Sequence, residues 1–208
     1  MFTGIIEELG TVSKLEKKDT ILVLTISAPK TASKLNLGDS VAIDGACFTA
    51  TSISEGLFTV EAIPETQERT IVKNYHEGTC VNLELTLTLQ KGISGHLVQG
   101  HVDGVGTIKS INERSEIEIS FPRELSRFIA FKGSITINGV SLTVSKLMDS
   151  SLQVSLIPFT LQETNLGKLI VGDPVNLEID LIARYLERML DAQDGQAKYN
   201  FLKERNLI

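Results

Sequence analysis

Tryptophan is absent from this 208-residue chain, proline occurs five times, histidine three times and cysteine twice. Eight Phe and three Tyr leave few rings on which bases could stack. No run of 18 apolar residues exists, so no helix is expected to span a bilayer. Positive charge is also short. A net charge of −6 and an isoelectric point near 5.2 argue against nucleic acid or an anionic membrane as partner, since both need a basic face. Two cysteines, Cys47 and Cys80, make no disulfide framework and fit a reducing cytoplasm. The opening MFTGIIEELG lacks a basic leader followed by an apolar stretch, so no secretion signal is expected. His76, His96 and His101 stand at no metal-ligand spacing, and there is no GxGxxG or Walker-type loop. The chemistry is therefore expected to run without a metal or a nucleotide.

What the chain does have is a repeat. Residues 137–147 read INGVSLTVSKL and residues 43–53 read IDGACFTATSI, an offset of 94 positions. The same offset pairs residues 38–85 with 132–179 without a gap, closing on GTCVNLEL (78–85) against GDPVNLEI (172–179). An offset of 96 aligns TGIIEELGTV (3–12) with QGHVDGVGTI (99–108). Self-similarity at this period means two copies of one module. The division expected is residues 1–95, residues 96–192 and a tail at 193–208.

Each copy reads as strand. Leu22–Ser27, Val41–Ile43, Leu57–Glu61 and Val81–Leu85 are short β-rich runs, matched by Ile117–Phe121, Ser134–Ile137, Leu152–Leu156 and Val175–Ile179. Asp44-Gly45 and Asn138-Gly139 between such runs are hairpin signals. A module of this length with about six short strands points to a small closed barrel, which leaves no exposed edge. The fold class is thus all-β, with short helices expected near Lys30–Leu35 and Pro122–Phe128. From Asp180 through Ala192 the period changes. Leu181, Ile182, Tyr185, Leu186, Met189 and Leu190 recur at helical spacing, a candidate oligomerisation helix.

Three repeated clusters suggest a ligand cradle. After each tight turn, strand alternation puts Cys47 and Thr49 on one face and Phe48 and Ala50 on the other; the second copy gives Ser141 and Thr143 against Leu142 and Val144. Small hydroxyl and thiol groups there suit hydrogen bonding to a flat polar ligand, although a half-solvated strand would show the same alternation. Gly4-Ile5-Ile6 matches Gly100-His101-Val102, and glycine permits close backbone approach. The third cluster is Glu61, Ala62, Ile63, Pro64, Glu65 and Thr66, matching Ser155, Leu156, Ile157, Pro158, Phe159 and Thr160. It reads as a strand ending in a proline turn that presents backbone donors and acceptors, or simply as a strand terminator. Two like cradles imply two like ligands, or one ligand with like halves.

GHLVQGHVDGVG (95–106), the opening MFTGIIEELG, GVSLTV, SLIPFTLQETNLG and the ending DLIARYLERML closely resemble the riboflavin synthase family of trimeric enzymes with a lumazine-binding repeat. The resemblance covers about residues 1–190 and implies two six-stranded Greek-key barrels related by a pseudo-twofold axis, plus a C-terminal helix holding a homotrimer. It implies a cytoplasmic transferase of riboflavin biosynthesis. Two molecules of 6,7-dimethyl-8-ribityllumazine disproportionate by four-carbon transfer, giving riboflavin and 5-amino-6-ribitylamino-pyrimidinedione, at a site between the first barrel of one subunit and the second of its neighbour. No cofactor is used, and lumazine synthase is a further partner. Carried over residue by residue, the ligand contacts in the first barrel fall on Gly4–Ile6, Cys47–Thr49 and Glu61–Thr66, and those in the second on Gly100–Val102, Lys132, Ser141–Thr143 and Ser155–Thr160. His101 is expected to shuttle protons, because imidazole titrates near working pH. Cys47 and Ser141, with Thr143, are expected to polarise or engage the ring. His76 and His96 are read as structural or exposed.

The first copy departs from the pattern twice. Phe48-Thr49-Ala50 stands where Leu-Thr-Val is usual, a volume exchange on the core face. Thr70-Ile71-Val72-Lys73 stands where Thr-Asn-Leu-Gly, kept at 164–167, is expected, and this is expected to loosen one wall of the first cavity. Relatives of this fold also bind lumazines or flavins without catalysis, so a non-catalytic accessory protein is the alternative reading.

Overall fold

The computed structural model describes residues 1–191 and 202–205. The tail residues Tyr199 and Phe201, and Ala192 at the end of the predicted helix, lie outside the described residues. The first barrel comprises β1 (Glu8–Lys18), β2 (Ile21–Ser27), β3 (Ser40–Ile43), β4 (Ala46–Ser54), β5 (Leu57–Ala62) and β6 (Cys80–Leu85). Its strands close in the order β1-β2-β5-β4-β3-β6. The second comprises β7 (Gly104–Ile111), β8 (Glu116–Ser120), β9 (Ser134–Ile137), β10 (Val140–Leu147), β11 (Ser151–Ser155) and β12 (Pro174–Ile179), closing as β7-β8-β11-β10-β9-β12. The two orders are the same Greek key, every neighbour antiparallel. The eight strands expected with bounds stand within a residue or two of their predicted ends; β4 and β10, expected only as the runs after the tight turns, and β1 and β7 complete the twelve.

Alternation builds the cores. In β5, Phe58, Val60 and Ala62 point inward while Leu57, Thr59 and Glu61 alternate with them. Val12, Leu24, Ile26, Val41, Ile43, Val81 and Leu83 complete the first core, and Ile108, Ile119, Ile135, Ile137, Leu152, Val154, Val175 and Leu177 fill the second. A one-residue slip would turn such a set outward, so the register is firmly specified. Helix α1 (Pro29–Ala32) sits at the predicted place, and a 3-10 turn covers Arg123–Phe128.

The hairpins β3–β4 and β9–β10 each turn in two residues, Ile43 pairing Ala46 and Ile137 pairing Val140. Asp44 and Gly45 have φ of 46° and 78°, Asn138 and Gly139 of 46° and 80°. Positive φ at both central residues is what Asp-Gly and Asn-Gly supply. These two turns meet back to back where the barrels join. A Cβ added at Gly139 would lie 2.7 Å from the Gly45 nitrogen.

A buried polar network surrounds that meeting point. Asn82 N–H and Asn165 Nδ2 both donate to Asp44 Oδ1 at 2.8 Å, and the Tyr75 hydroxyl donates to Oδ2 at 2.6 Å. Asn176 N–H donates to Asn138 Oδ1 at 2.8 Å, and Asn176 Nδ2 to the Asp44 carbonyl at 2.8 Å. Burial pushes the Asp44 carboxyl up to about 7, although the donors from Tyr75, Asn82 and Asn165 oppose the shift. Between its ordinary value and about 7 the folded chain keeps a proton that the unfolded chain has lost. That stabilisation is complete at low pH and disappears as pH rises through 7. Asp44→Asn, which copies Asn138, is therefore expected to match the parent near pH 4 and to exceed it at pH 8 by on the order of 1–4 kcal/mol. Urea unfolding at the two pH values checks this. Equal midpoints at pH 8 would contradict it.

After β12 the chain forms α4 (Leu181–Asp191), the predicted C-terminal helix. It packs near the Arg123–Phe128 turn, with Arg127 and Glu187 paired at 3.3 Å. Ile182, Tyr185, Leu186, Met189 and Leu190 stay exposed along one stripe.

Candidate functional site

Each barrel carries a cavity at the start of the strand that follows its Gly turn. The first, of about 570 Å³, is lined by Cys47, Glu65, Thr66, Gly100, His101 and Val102, together with Ala46, Arg69, Thr70, Gln99, Asp103, Arg184 and Tyr185. The second, of about 400 Å³, is lined by Lys132, Ser141, Leu142, Thr143, Ser155, Ile157, Thr160 and Ser145. The repeat thus delivers two cavities at equivalent positions.

One expectation is corrected. Gly4–Ile6 lies against Ser141 of the second barrel rather than Cys47 of the first, and Gly100–Val102 against Cys47 rather than Ser141, while Glu84 and Glu178 anchor Gly4 and Gly100 from each arm's own barrel. The Ser141 N–H donates to the Gly4 carbonyl at 2.8 Å, and the Cys47 N–H donates to the Gly100 carbonyl at 2.8 Å. Ile6 packs on the second core and Val102 on the first. The two arms cross side by side, Phe2 and Val98 exchanging N–H···O bonds of 2.7 and 3.1 Å. The arm that leads into the second barrel thus lines the first cavity through Gly100, His101 and Val102, whereas the first arm bonds Ser141 of the second cavity without standing on its wall. Repetition shows that two arms are equivalent but carries no mark of which copy each one covers, so the exchange was not readable. Close approach explains the glycines here: a Cβ at Gly100 would meet the Cys47 Cβ at 2.6 Å, and one at Gly4 the Ser141 Cβ at 2.6 Å.

The third cluster is also built differently from a proline turn. Pro64 and Pro158 open short helices, α2 (Pro64–Arg69) and α3 (Pro158–Glu163), with Ile63 and Ile157 in extended conformation ahead of them. Proline at the first helical position loses no needed donor. Phe48, Ala62 and Leu156 point into the cores, so only their main chain is available near the cavities. Glu61 and Thr49 are exposed outward on their strands. Ile5, Ile63, Ile157 and Phe159 expose apolar side chains around the sites.

The departure at residues 70–73 does not loosen the wall. The Thr70 hydroxyl donates to the Thr66 carbonyl at 2.6 Å and accepts from Val72 N–H at 3.2 Å. Thr164 makes the equivalent bonds at 2.7 and 3.3 Å. Ile71 lacks the carboxamide that Asn165 sends across to Asp44, so Asn138 receives no matching side-chain donor from position 71, whereas Asp44 receives both the Asn165 amide and the Tyr75 hydroxyl.

Reading the sequence also missed His96. Its Nδ1 lies 2.7 Å from Ser141 Oγ and its Nε2 3.3 Å from Thr136 Oγ1. Burial holds the imidazole below its ordinary value, with Asp180 opposing. A neutral ring can then take the Ser141 proton at Nδ1 while Nε2–H faces Thr136. His96 lies outside the aligned repeat, which opens with residues 3–12 against 99–108, so repetition gave no signal for it. The equivalent of Thr136 is Ala42, which leaves Cys47 with no matching relay. His101 is exposed on the wall of the first cavity and its ring makes no hydrogen bond among the described residues. Arg184 and Tyr185 reach the first cavity from α4, Arg184 Nη2 held by Asp103 Oδ1 at 2.7 Å. Among the described residues no cluster of His, Cys, Asp or Glu could hold a metal ion.

The comparisons agree with this geometry. The lumazine binding domain family matches twice, over residues 3–86 and 99–180. Riboflavin synthase of Actinobacillus pleuropneumoniae is 40% identical, covering 98% of this chain and 99% of that protein. Riboflavin synthase of Bacillus subtilis (strain 168) is 39% identical over 91% and 90% of the two chains. Crystal structures of LumP complexed with riboflavin and with 6,7-dimethyl-8-(1'-D-ribityl) lumazine superpose with TM-scores of 0.80 and 0.79 at 27% and 26% identity, each covering 86% of this chain and 99% of that one. With two lumazine-binding repeats, each folded as a closed six-stranded barrel with its own cavity, this chain belongs to the riboflavin synthase family.

Proposed function

We propose that each cavity binds one 6,7-dimethyl-8-ribityllumazine and that the chain converts two of them into riboflavin and 5-amino-6-ribitylamino-pyrimidinedione. The observation that carries this reading is the pair of equivalent cavities whose Ser141 and Cys47 are bonded by exchanged arms. The substrates are identical, so like cavities suit them, and unlike side chains at the reacting positions let one act as donor and the other as acceptor. Holding both in a reactive pose is worth on the order of 7–11 kcal/mol of barrier.

Ser141, with its proton directed to His96, offers the ring an oxygen lone pair and a relay for a proton leaving the acidic methyl group. Cys47, Thr143 and His101 face ligand without such a relay. Lys132 donates to ring or ribityl oxygens. The productive site lies between the first barrel of one subunit and the second barrel of its neighbour in a homotrimer joined through α4, in the cytoplasm. The presence of Tyr185 both on the exposed stripe and on the first cavity wall supports this, because assembly there brings a neighbour to the cavity rim. Lumazine synthase, which makes the substrate, is the proposed further partner.

Mixing the protein with the lumazine and following flavin absorbance tests the reading. Growth of the flavin band supports it. Tight binding without product favours the non-catalytic accessory role, and binding of neither ligand removes both. Ser141→Ala and His96→Gln are each expected to lower kcat by a factor on the order of 100–10,000, the range of one acid–base group. Because the His96 imidazole is held below its usual value, the acid limb of the rate is expected below 6.5 and is expected to vanish in His96→Gln. Steady-state rates across pH check both. An unchanged acid limb in that variant would remove the relay.

A further inference from the structure

Two buried carboxylates lie behind the cavities and hold the exchanged arms. Glu84 and Glu178 occupy the last but one position of β6 and β12 and are 2% and 3% exposed. Glu84 Oε1 accepts the Thr3 N–H at 2.8 Å and the Thr3 hydroxyl at 2.7 Å, and Oε2 accepts the Gly4 N–H at 2.9 Å. Glu178 Oε1 accepts the Gln99 N–H at 2.6 Å and Oε2 the Gly100 N–H at 3.0 Å. The carbonyls that follow, those of Gly4 and Gly100, are the ones that receive the N–H groups of Ser141 and Cys47.

Each carboxylate therefore belongs to one barrel while the backbone it fixes bonds the cavity-lining residue of the other, Ser141 for Glu84 and Cys47 for Glu178. Burying an acid is costly unless its oxygens are satisfied. A carboxylate is the one side chain that offers two acceptor oxygens to consecutive N–H groups, whereas an amide offers one. The surroundings of the two differ. Lys91 Nζ lies 3.7 Å from Glu84 Oε1. Glu178 has Asp103 as its charged neighbour, and the nearby Arg184 is already paired with that aspartate.

We propose that Glu84 and Glu178 are positioning residues, each setting from its own barrel the backbone that bonds the cavity-lining residue of the opposite barrel. Glu178 governs the Cys47 cavity and Glu84 the Ser141 cavity. The inference rests on the lumazine-binding reading above, and its effects are separable by cavity. Glutamine keeps the length but turns an N–H₂ toward one of the two peptide N–H groups, so the arm loses one anchor.

The test uses the full chain as parent, Glu178→Gln and Glu84→Gln, titrated with riboflavin by fluorescence quenching, with alkylation of Cys47 followed by peptide mass spectrometry. Glu178→Gln is expected to weaken one ligand equivalent at least tenfold, to leave the other within twofold, and to abolish ligand protection of Cys47. Glu84→Gln is expected to weaken the other equivalent and to leave Cys47 protected. A loss shared equally by both equivalents, or no loss, overturns the proposal. If a glutamine variant does not fold, hydrogen exchange on the parent without ligand decides: slow amides at Gly4 and Gly100 support the anchoring, and exchange at free-peptide rates overturns it. That readout needs no ligand, so a parent that binds no riboflavin would fail the functional reading without deciding this one.

Discussion

Gly139→Ala is expected to lower the unfolding free energy by about 3–5 kcal/mol, a large effect for one methyl group. Two costs combine. At φ of 80° an L side chain is strained, which accounts for roughly 1 kcal/mol. The larger part is steric. The new Cβ would fall 2.7 Å from the Gly45 nitrogen and 3.1 Å from its Cα, both backbone atoms of a turn fixed by β3–β4 pairing. No side chain can swing away, so the barrels must separate, and separation exposes the Asp44, Asn82, Asn138, Asn165 and Asn176 network between them. Gly78→Ala isolates the dihedral cost, since Gly78 has φ of 92° and nothing within 4 Å of an added Cβ. Urea denaturation of the three chains gives the comparison. Should Gly139→Ala prove no worse than Gly78→Ala, the close contact between the turns is not a determinant of stability.

The turns were legible because Asp-Gly and Asn-Gly are local chemistry: the residues that make the bend are the residues that name it. The strands were legible for a similar reason, since alternation such as that of Phe58, Val60 and Ala62 is written in consecutive positions. Of the positions expected in the second barrel, Lys132, Ser141, Leu142, Thr143, Ser155, Ile157 and Thr160 stand on the wall of its cavity, and Leu156, Pro158 and Phe159 do not. What escaped was relational. Gly4 on Ser141 rather than Cys47 is a choice between two packings with the same internal pattern, and a single chain's sequence does not distinguish them. Glu84 and Glu178 were visible only as part of a repeated VNLE, where strand alternation gives no hint that a carboxylate faces inward. Arg184 and Tyr185 were read as helix residues, and their reach to the first cavity depends on where α4 lands. His96 lay one position past an obvious Gly, in the stretch that the repeat does not duplicate.

Charging the outer stripe of α4 is expected to produce the largest loss of turnover. Ile182 and Met189 lie seven residues apart, two turns along one face, and are 62% and 60% exposed. Neither lines a cavity. Fully covering a side chain of this size is worth roughly 1.5–3 kcal/mol, so the five-residue stripe supplies a gross gain comparable with the 4–15 kcal/mol estimated cost of association. Ile182→Glu with Met189→Glu removes the apolar contacts and sets like charges against one another in any symmetric assembly through this face. The barrels, whose cores lie elsewhere, are expected to fold and to bind riboflavin with affinity within a few-fold of the parent. If the productive site needs the first barrel of one subunit against the second of another, turnover at low protein concentration is expected to fall at least a hundredfold. Raising the concentration is expected to restore the rate faster than in proportion, as mass action repopulates the assembly. Sedimentation, ligand titration and initial rates measured on the same samples separate the three quantities. A dissociated variant that keeps the parent's rate per chain would place both reacting ligands within a single subunit, and an undissociated one would take α4 out of the assembly.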